Sequence, residues 1–199
     1  MDSNQRKYLF ISIIVILAFS LGFVASSYAA KPRWACPVCS YSGGEITSFV
    51  NEDYPEVVMR EINGAQSSID IILYEMKFYE TNNSVRQLED ALISAHNRGI
   101  EVRILLDQSE WAKRITDLTK ENWKTKEYLE ENGLTVKLDS LKETTHTKLV
   151  IVDGRTVILG STNWGFSAFE RNNEVDVMLK ESRAAEYYNQ YFEYMWDLY

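Results

Sequence analysis

The stretch His146-Thr147-Lys148-Leu149-Val150-Ile151-Val152-Asp153-Gly154-Arg155-Thr156-Val157-Ile158-Leu159-Gly160-Ser161-Thr162-Asn163 places two β-rich apolar runs on either side of an Asp-Gly pair. Asp-Gly in that setting predicts a two-residue hairpin turn, because both central positions need positive φ. With Asp153 and Gly154 as the loop, Val152 faces Arg155, Lys148 faces Leu159 and His146 faces Ser161. Residues two apart on a strand share a face, and so do directly opposed residues. His146, Lys148, Ser161 and Asn163 are therefore expected on one side of the hairpin at its open end, with Asp153 at the far end. An imidazole, an ammonium, a hydroxyl and an amide gathered there suit a phosphate ester.

Working outward, strands and helices alternate. Asp53-Tyr54-Pro55 opens a predicted helix through Ile62, stopped by Gly64. Ser68–Met76 reads as an apolar strand. A helix from Ser84 to Arg98 carries Val85, Leu88, Leu92 and Ala95 on one stripe and stops at Gly99. Glu101–Asp107 is a further strand, 108–120 a polar surface excursion, Glu121–Asn132 a helix and Val136–Leu138 a short strand. Beyond the hairpin come a strand over Glu174–Leu179 and a helix over Ser182–Leu198, whose face of Tyr187, Tyr188, Tyr191, Phe192, Met195 and Trp196 suits core or subunit packing. The pattern predicts an α/β fold, a mixed β-sheet flanked by helices in a layered sandwich, within one domain at 46–199. No internal repeat is visible.

Tyr8–Ala30 contains no charged side chain and follows Arg6 and Lys7. Residues 1–30 read either as a signal peptide with Ser27-Tyr28-Ala29 at its end or as a transmembrane anchor with its basic end inside. Both place the domain outside the cytoplasm. Residues 31–45, with Pro32, Pro37, Gly43 and Gly44, read as a linker. The linker holds the two cysteines, Cys36 and Cys39, a pair suited to a disulfide or to half of an intersubunit zinc site. The whole chain has a net charge of −8. That surface repels nucleic acid at long range, so a polyanion would need a local basic patch. Lys113, Arg114, Lys120, Lys124 and Lys126 supply a candidate steering cluster, with a merely solvated face as its alternative.

His146-x-Lys148-x4-Asp153-x6-Gly160-Ser161-x2-Asn163 resembles the signature of the phospholipase D superfamily, and the likeness runs over about residues 46–199. Single-motif members of this length include a small bacterial secreted endonuclease and mitochondrial-type relatives. The resemblance implies a covalent mechanism in which one histidine attacks phosphorus and a second protonates the leaving oxygen. It assigns the attack to His146, the nonbridging oxygens to Lys148 and Asn163, and the orientation of His146 to Ser161 and Glu174. Asp153 and Gly160 match it as structural positions. It implies no metal and no cofactor. His96, the other histidine, sits at a helix end without such neighbours, so the second histidine is expected from another copy, in a homodimer with a composite active site. The expected activity is a nuclease acting on DNA or RNA. A phospholipase D acting on lipid head groups is the alternative, and a non-catalytic membrane-tethered dimer is a lesser one.

Overall fold

The computed structural model describes residues 43–108 and 116–199. The expectations for the leader, for Cys36 and Cys39, and for Lys113 and Arg114 fall outside them. Twelve elements follow in order: β1 (Glu45–Val50), α1 (Asp53–Gly64), β2 (Ser68–Leu73), α2 (Ser84–Asn97), β3 (Glu101–Leu106), α3 (Thr116–Glu131), β4 (Thr135–Leu138), β5 (Lys148–Val152), β6 (Thr156–Gly160), α4 (Phe166–Glu170), β7 (Val175–Lys180) and α5 (Ser182–Leu198). Strand β1 begins at the last residue of the expected linker and was not foreseen. Only Phe49 of its six residues is buried, so it has no alternating pattern to read. Helix α3 starts five residues before the expected Glu121, within the polar stretch expected to be a surface excursion.

The strands form one mixed sheet in the order β1-β7-β6-β5-β2-β3-β4. β2, β3 and β4 are parallel, and every other neighbouring pair is antiparallel. The larger core lies on one face, where Val58 and Ile62 of α1 and Leu88 and Leu92 of α2 meet Ile69, Ile71, Ile104, Val150 and Ile158. On the other face, α5 lays Ala185, Phe192 and Met195 on Ile72, Leu105, Leu149, Ile151 and Val157. Central strands are thus apolar on both sides, which explains their continuous runs. Asp70 interrupts β2 on the α5 side. It is almost fully buried, and its carboxylate takes the Arg103 guanidinium at 2.7 Å, while Arg103 also reaches Glu193 of α5 at 2.7 Å and covers the Phe192 ring. The ion pair clamps two strands to a helix.

The hairpin turn forms, but its register differs from the expected one. The Val152 carbonyl accepts the Arg155 N–H at 3.0 Å, and Asp153 and Gly154 both have positive φ. Arg155 is then left out of the ladder, which pairs Val152 with Thr156 and Leu149 with Leu159. Both faces of β5 and β6 are buried, so apolar pattern alone could not tell this register from one shifted by a residue. Lys148 consequently shares a face with Val150 and Ile158, not with Leu159, and the paired register ends at Leu149 and Leu159, short of His146 and Ser161.

Asp153 acts at the tip of this hairpin. Its carboxylate accepts backbone N–H groups of Gln66, Ser67 and Ser68 at 2.7 to 3.2 Å and the Ser67 hydroxyl at 3.0 Å. Partial burial, the largest single influence, pushes its pKa up, but the donated hydrogen bonds together outweigh it and hold the pKa below the ordinary carboxylate value. It joins the hairpin to the α1–β2 turn, a wider role than the local turn anchor expected. Asp153→Ala is expected to destabilise by about 2 kcal/mol, measured by urea unfolding, since three backbone N–H groups and a hydroxyl lose a charged acceptor. Because the folded pKa is depressed, this contribution is present above the ordinary carboxylate pKa and disappears as pH falls through the folded value. Equal midpoints for variant and parent at pH 7 would refute the role.

Candidate active site

The C-terminal ends of β1, β2, β3, β4 and β6 and the N-terminal ends of β5 and β7 all lie at one edge of the sheet, because strand directions alternate accordingly. That edge collects Tyr74 after β2, Asp107 after β3, Asp139 after β4, His146 and Lys148 at the start of β5, Ser161 and Asn163 after β6, and Glu174 before β7. The five expected catalytic residues therefore come to one edge, although the hairpin arithmetic that placed them was off by a residue. His96 closes α2 at the opposite edge, where its ring lies against Gly133, and takes no part.

His146 is exposed, and its imidazole rests on the Tyr74 ring, with centroids 4.5 Å apart. The Lys148 ammonium lies 4.8 Å from the centroid of the same ring and donates to the His146 carbonyl at 3.1 Å. One aromatic surface thus spaces both groups. Partial burial, and next the charge of Lys148, lower the His146 pKa, while Asp107 opposes them. The ring is accordingly held neutral at neutral pH, with a lone pair available for attack. Burial pulls Lys148 down to about 8, with Glu174, Glu75 and Asp107 acting in the opposite direction. Its side chain is 7% exposed, so this charge faces little water.

Beyond Gly160 the chain leaves the ladder. The Ser161 hydroxyl donates to Glu174 at 2.5 Å and accepts the Val175 N–H at 3.1 Å. Glu174 is further held by the Asn172 amide at 2.9 Å, and its N–H donates to Asn51. The observed bonds of Ser161 and Glu174 thus link them to each other, and the ring against which His146 rests is Tyr74. Thr162 is buried and donates its hydroxyl to Asp176 at 2.5 Å. Trp164 is buried too, with its indole N–H on the Tyr54 hydroxyl at 3.0 Å and its backbone on Glu75 and Lys77. These two anchors fix Asn163 between them. The Asn163 amide oxygen is buried with no protein donor, so the fold does not use that group.

Sequence reasoning missed Tyr74, Asn122 and the acids Asp107 and Asp139. Asn122 of α3 accepts the Met76 N–H at 2.9 Å and donates to the carbonyls of Tyr74 and Asp107 at 2.8 and 2.7 Å, which fixes the exits of β2 and β3. The one available signal was an acid directly after an apolar strand, in Leu105-Leu106-Asp107. Of the expected steering cluster, Lys124 pairs with Glu121 at 2.7 Å, and Lys126 pairs with Glu130 while donating to the Val136 carbonyl. Both lysines thus have a carboxylate partner on their own helix.

Residues 58–196 match the family model described as cardiolipin synthase, PLD-like domain. A phospholipase D of Rickettsia prowazekii is 28% identical over 96% of this chain and 93% of its own length. A mitochondrial cardiolipin hydrolase of Chlamydomonas reinhardtii is 27% identical over 69% of this chain, which spans 55% of that longer protein. Among solved structures, Nuc of Salmonella typhimurium, a phospholipase D family member, superposes with a TM-score of 0.63 at 24% identity, covering 77% of this chain and 96% of its own.

Proposed function

This chain belongs to the phospholipase D-like domain family of phosphodiesterases, and we propose that it cleaves its substrate through a covalent phosphohistidine on His146. The observation that carries the reading is the placement of an exposed imidazole and a buried ammonium on one aromatic surface, at the edge where Asn163 also stands. A free ring nitrogen of His146 attacks phosphorus and forms an N–P bond as the P–O bond to the leaving group breaks. His146 of the partner subunit gives the leaving oxygen its proton. Water then attacks phosphorus, loses a proton to that same histidine, and releases His146 as the N–P bond breaks. Lys148 and Asn163 hold the nonbridging oxygens, where negative charge builds in the transition state. The Ser161–Glu174 pair braces the β6–β7 side of the site and faces Lys148 with a negative charge. A twofold dimer outside the cytoplasm, held by residues 1–30 or released from them, completes this reading.

For substrate, we read a lipid phosphodiester ahead of nucleic acid. Val50, Leu141, Phe166 and Val175 are exposed apolar side chains, and each follows or precedes a strand end at the catalytic edge. A net charge of −8 and lysines already paired with glutamates favour an uncharged approach over a polyanion. The purified protein, in EDTA, is expected to release head groups from vesicles of phosphatidylcholine, a zwitterionic lipid. Cleavage of single-stranded DNA, duplex DNA or RNA without lipid hydrolysis would transfer the assignment to a nuclease. Loss of activity on chelation would remove the metal-independent mechanism. Sedimentation of the active species is expected to give the mass of two chains, and an active monomer would rule out the composite site.

A further inference from the structure

Two buried acids stand directly behind His146. Asp107 and Asp139 leave β3 and β4 at neighbouring positions, with 0% and 2% of their surface exposed. Asp107 accepts the N–H of Thr145, the residue preceding His146, at 2.7 Å. Asp139 accepts the Gln108 N–H at 2.7 Å, and its own N–H donates to the Leu106 carbonyl at 3.0 Å. The second oxygen of Asp139 is buried without a protein donor, and the Asp107 carboxyl lies within hydrogen-bonding reach of Asp139. Two carboxylates in such contact repel, whereas one proton between them supplies the missing donor and removes half the charge. Burial raises the Asp139 pKa to about 6; hydrogen bonds from the Thr145 side chain and the Gln108 N–H oppose it, and Asp107 adds a further push upward.

We propose that Asp107 and Asp139 form a proton-sharing pair that positions His146 through Thr145 and tunes the charge of its imidazole. The proposal rests on reading His146 as the nucleophile. It makes Asp107 and Asp139 positioning residues, since neither touches the reacting atoms. The ionisable groups around the pair are Tyr74 and Glu75 from the exit of β2, Glu143, His146 and Lys148 from the segment leading into β5, and Tyr199 at the end of α5. Asp107 acts on His146, Lys148 and Tyr74. Asp139 acts on Tyr199, whose hydroxyl donates to Glu143 at 3.2 Å. As pH rises and the shared proton leaves, the pair gains a negative charge, which strengthens proton binding by His146. Lys148 acts the other way. Asp107 thus opposes the lowering of the imidazole pKa by burial and Lys148, while the Thr145 bond fixes the backbone just ahead of it.

The test is an NMR titration of the full-length chain with 15N-labelled imidazoles. The chain has two histidines, and His96 at the opposite edge serves as an internal reference. Asp107→Asn is expected to lower the His146 midpoint by roughly half a pH unit or more, by loss of one nearby charge, and to leave His96 where it was. Asp139→Asn, whose amide can donate to Asp107 as the proton does, keeps the pair at a single charge and is expected to lower the same midpoint by less. It also decides the matter if Asp107→Asn fails to fold. An unmoved His146 midpoint in a folded variant, or equal movement of both histidines, would overturn the proposal. Because the titration needs no substrate, an inactive enzyme with the expected shifts would fail the phosphohistidine reading and leave the pair standing.

Discussion

His146→Ala is expected to reduce phosphodiester cleavage by about four orders of magnitude or more, because it removes the atom that forms the bond to phosphorus. The side chain is exposed and its main contact is the Tyr74 ring, so the variant should fold as the parent does. Thermal unfolding within a few degrees of wild type would show that. Protein exposed to 32P-labelled substrate and quenched in alkaline detergent should carry label that survives base and is lost in acid in the parent, and no label in the variant. Cleavage at the parental rate would remove His146 from the chemistry. The same assignment fixes a pH profile. His146 must be neutral to attack and its pKa is lowered from the ordinary value, so activity should rise with pH through a midpoint below 6.5. The partner subunit's His146 must carry the proton that the leaving oxygen takes, and Lys148, which titrates at about 8, must be charged to hold the phosphate, so activity should pass through a maximum and fall on the alkaline side. Lys148→Met should remove most of the rate and leave the limb set by the partner subunit's His146.

Gly160→Ala is expected to have the largest effect on stability of any single-methyl addition at this edge. A Cβ at Gly160 would lie 2.6 Å from the Asp176 carboxyl carbon, and closer still to its Oδ1 and to the Val175 carbonyl. Neither neighbour can retreat cheaply. Asp176 is buried and held by the Thr162 hydroxyl, and the Val175 carbonyl accepts the Ser161 N–H. Relief therefore requires β6 and β7 to part, at about 3 kcal/mol or roughly 10 °C in melting temperature. Gly64→Ala is the matched control, since a Cβ there meets nothing within 4 Å. A Gly160→Ala protein that melts with the control would show that the close approach is not a constraint. The Gly-Ser pair after β6 thus joins backbone proximity to a hydroxyl that must reach Glu174.

Much of this was legible in the residues. The apolar runs of β2, β3, β5 and β6, the stripe of α2 and the aromatic face of α5 identified a layered α/β domain, because burial on one or both faces leaves a period that sequence displays. Helix α5 was read to its ends, Ser182 and Leu198. Strand β1 was not, since one buried residue in six leaves no period. The early start of α3 was hidden in the same way, by a polar first turn.

The site divides along the same line. Residue type and spacing alone identified His146, Lys148, Ser161 and Asn163 as groups suited to a phosphate ester, because those functional groups stay the same however the strands slide, and the family resemblance added Glu174. The register of β5 on β6 was decided in three dimensions. Both faces of that hairpin are apolar, and its tip is tied to Gln66, Ser67 and Ser68, nearly ninety residues away in the chain. The convergence of Tyr74, Asp107 and Asp139 on His146 was decided there as well. They leave three parallel strands, whose C-terminal ends reach a common edge only because intervening chain returns each strand to the same start. No local pattern encodes that proximity, and it is what turns an imidazole in a motif into one with a neighbouring ring, an ammonium and a pair of buried acids.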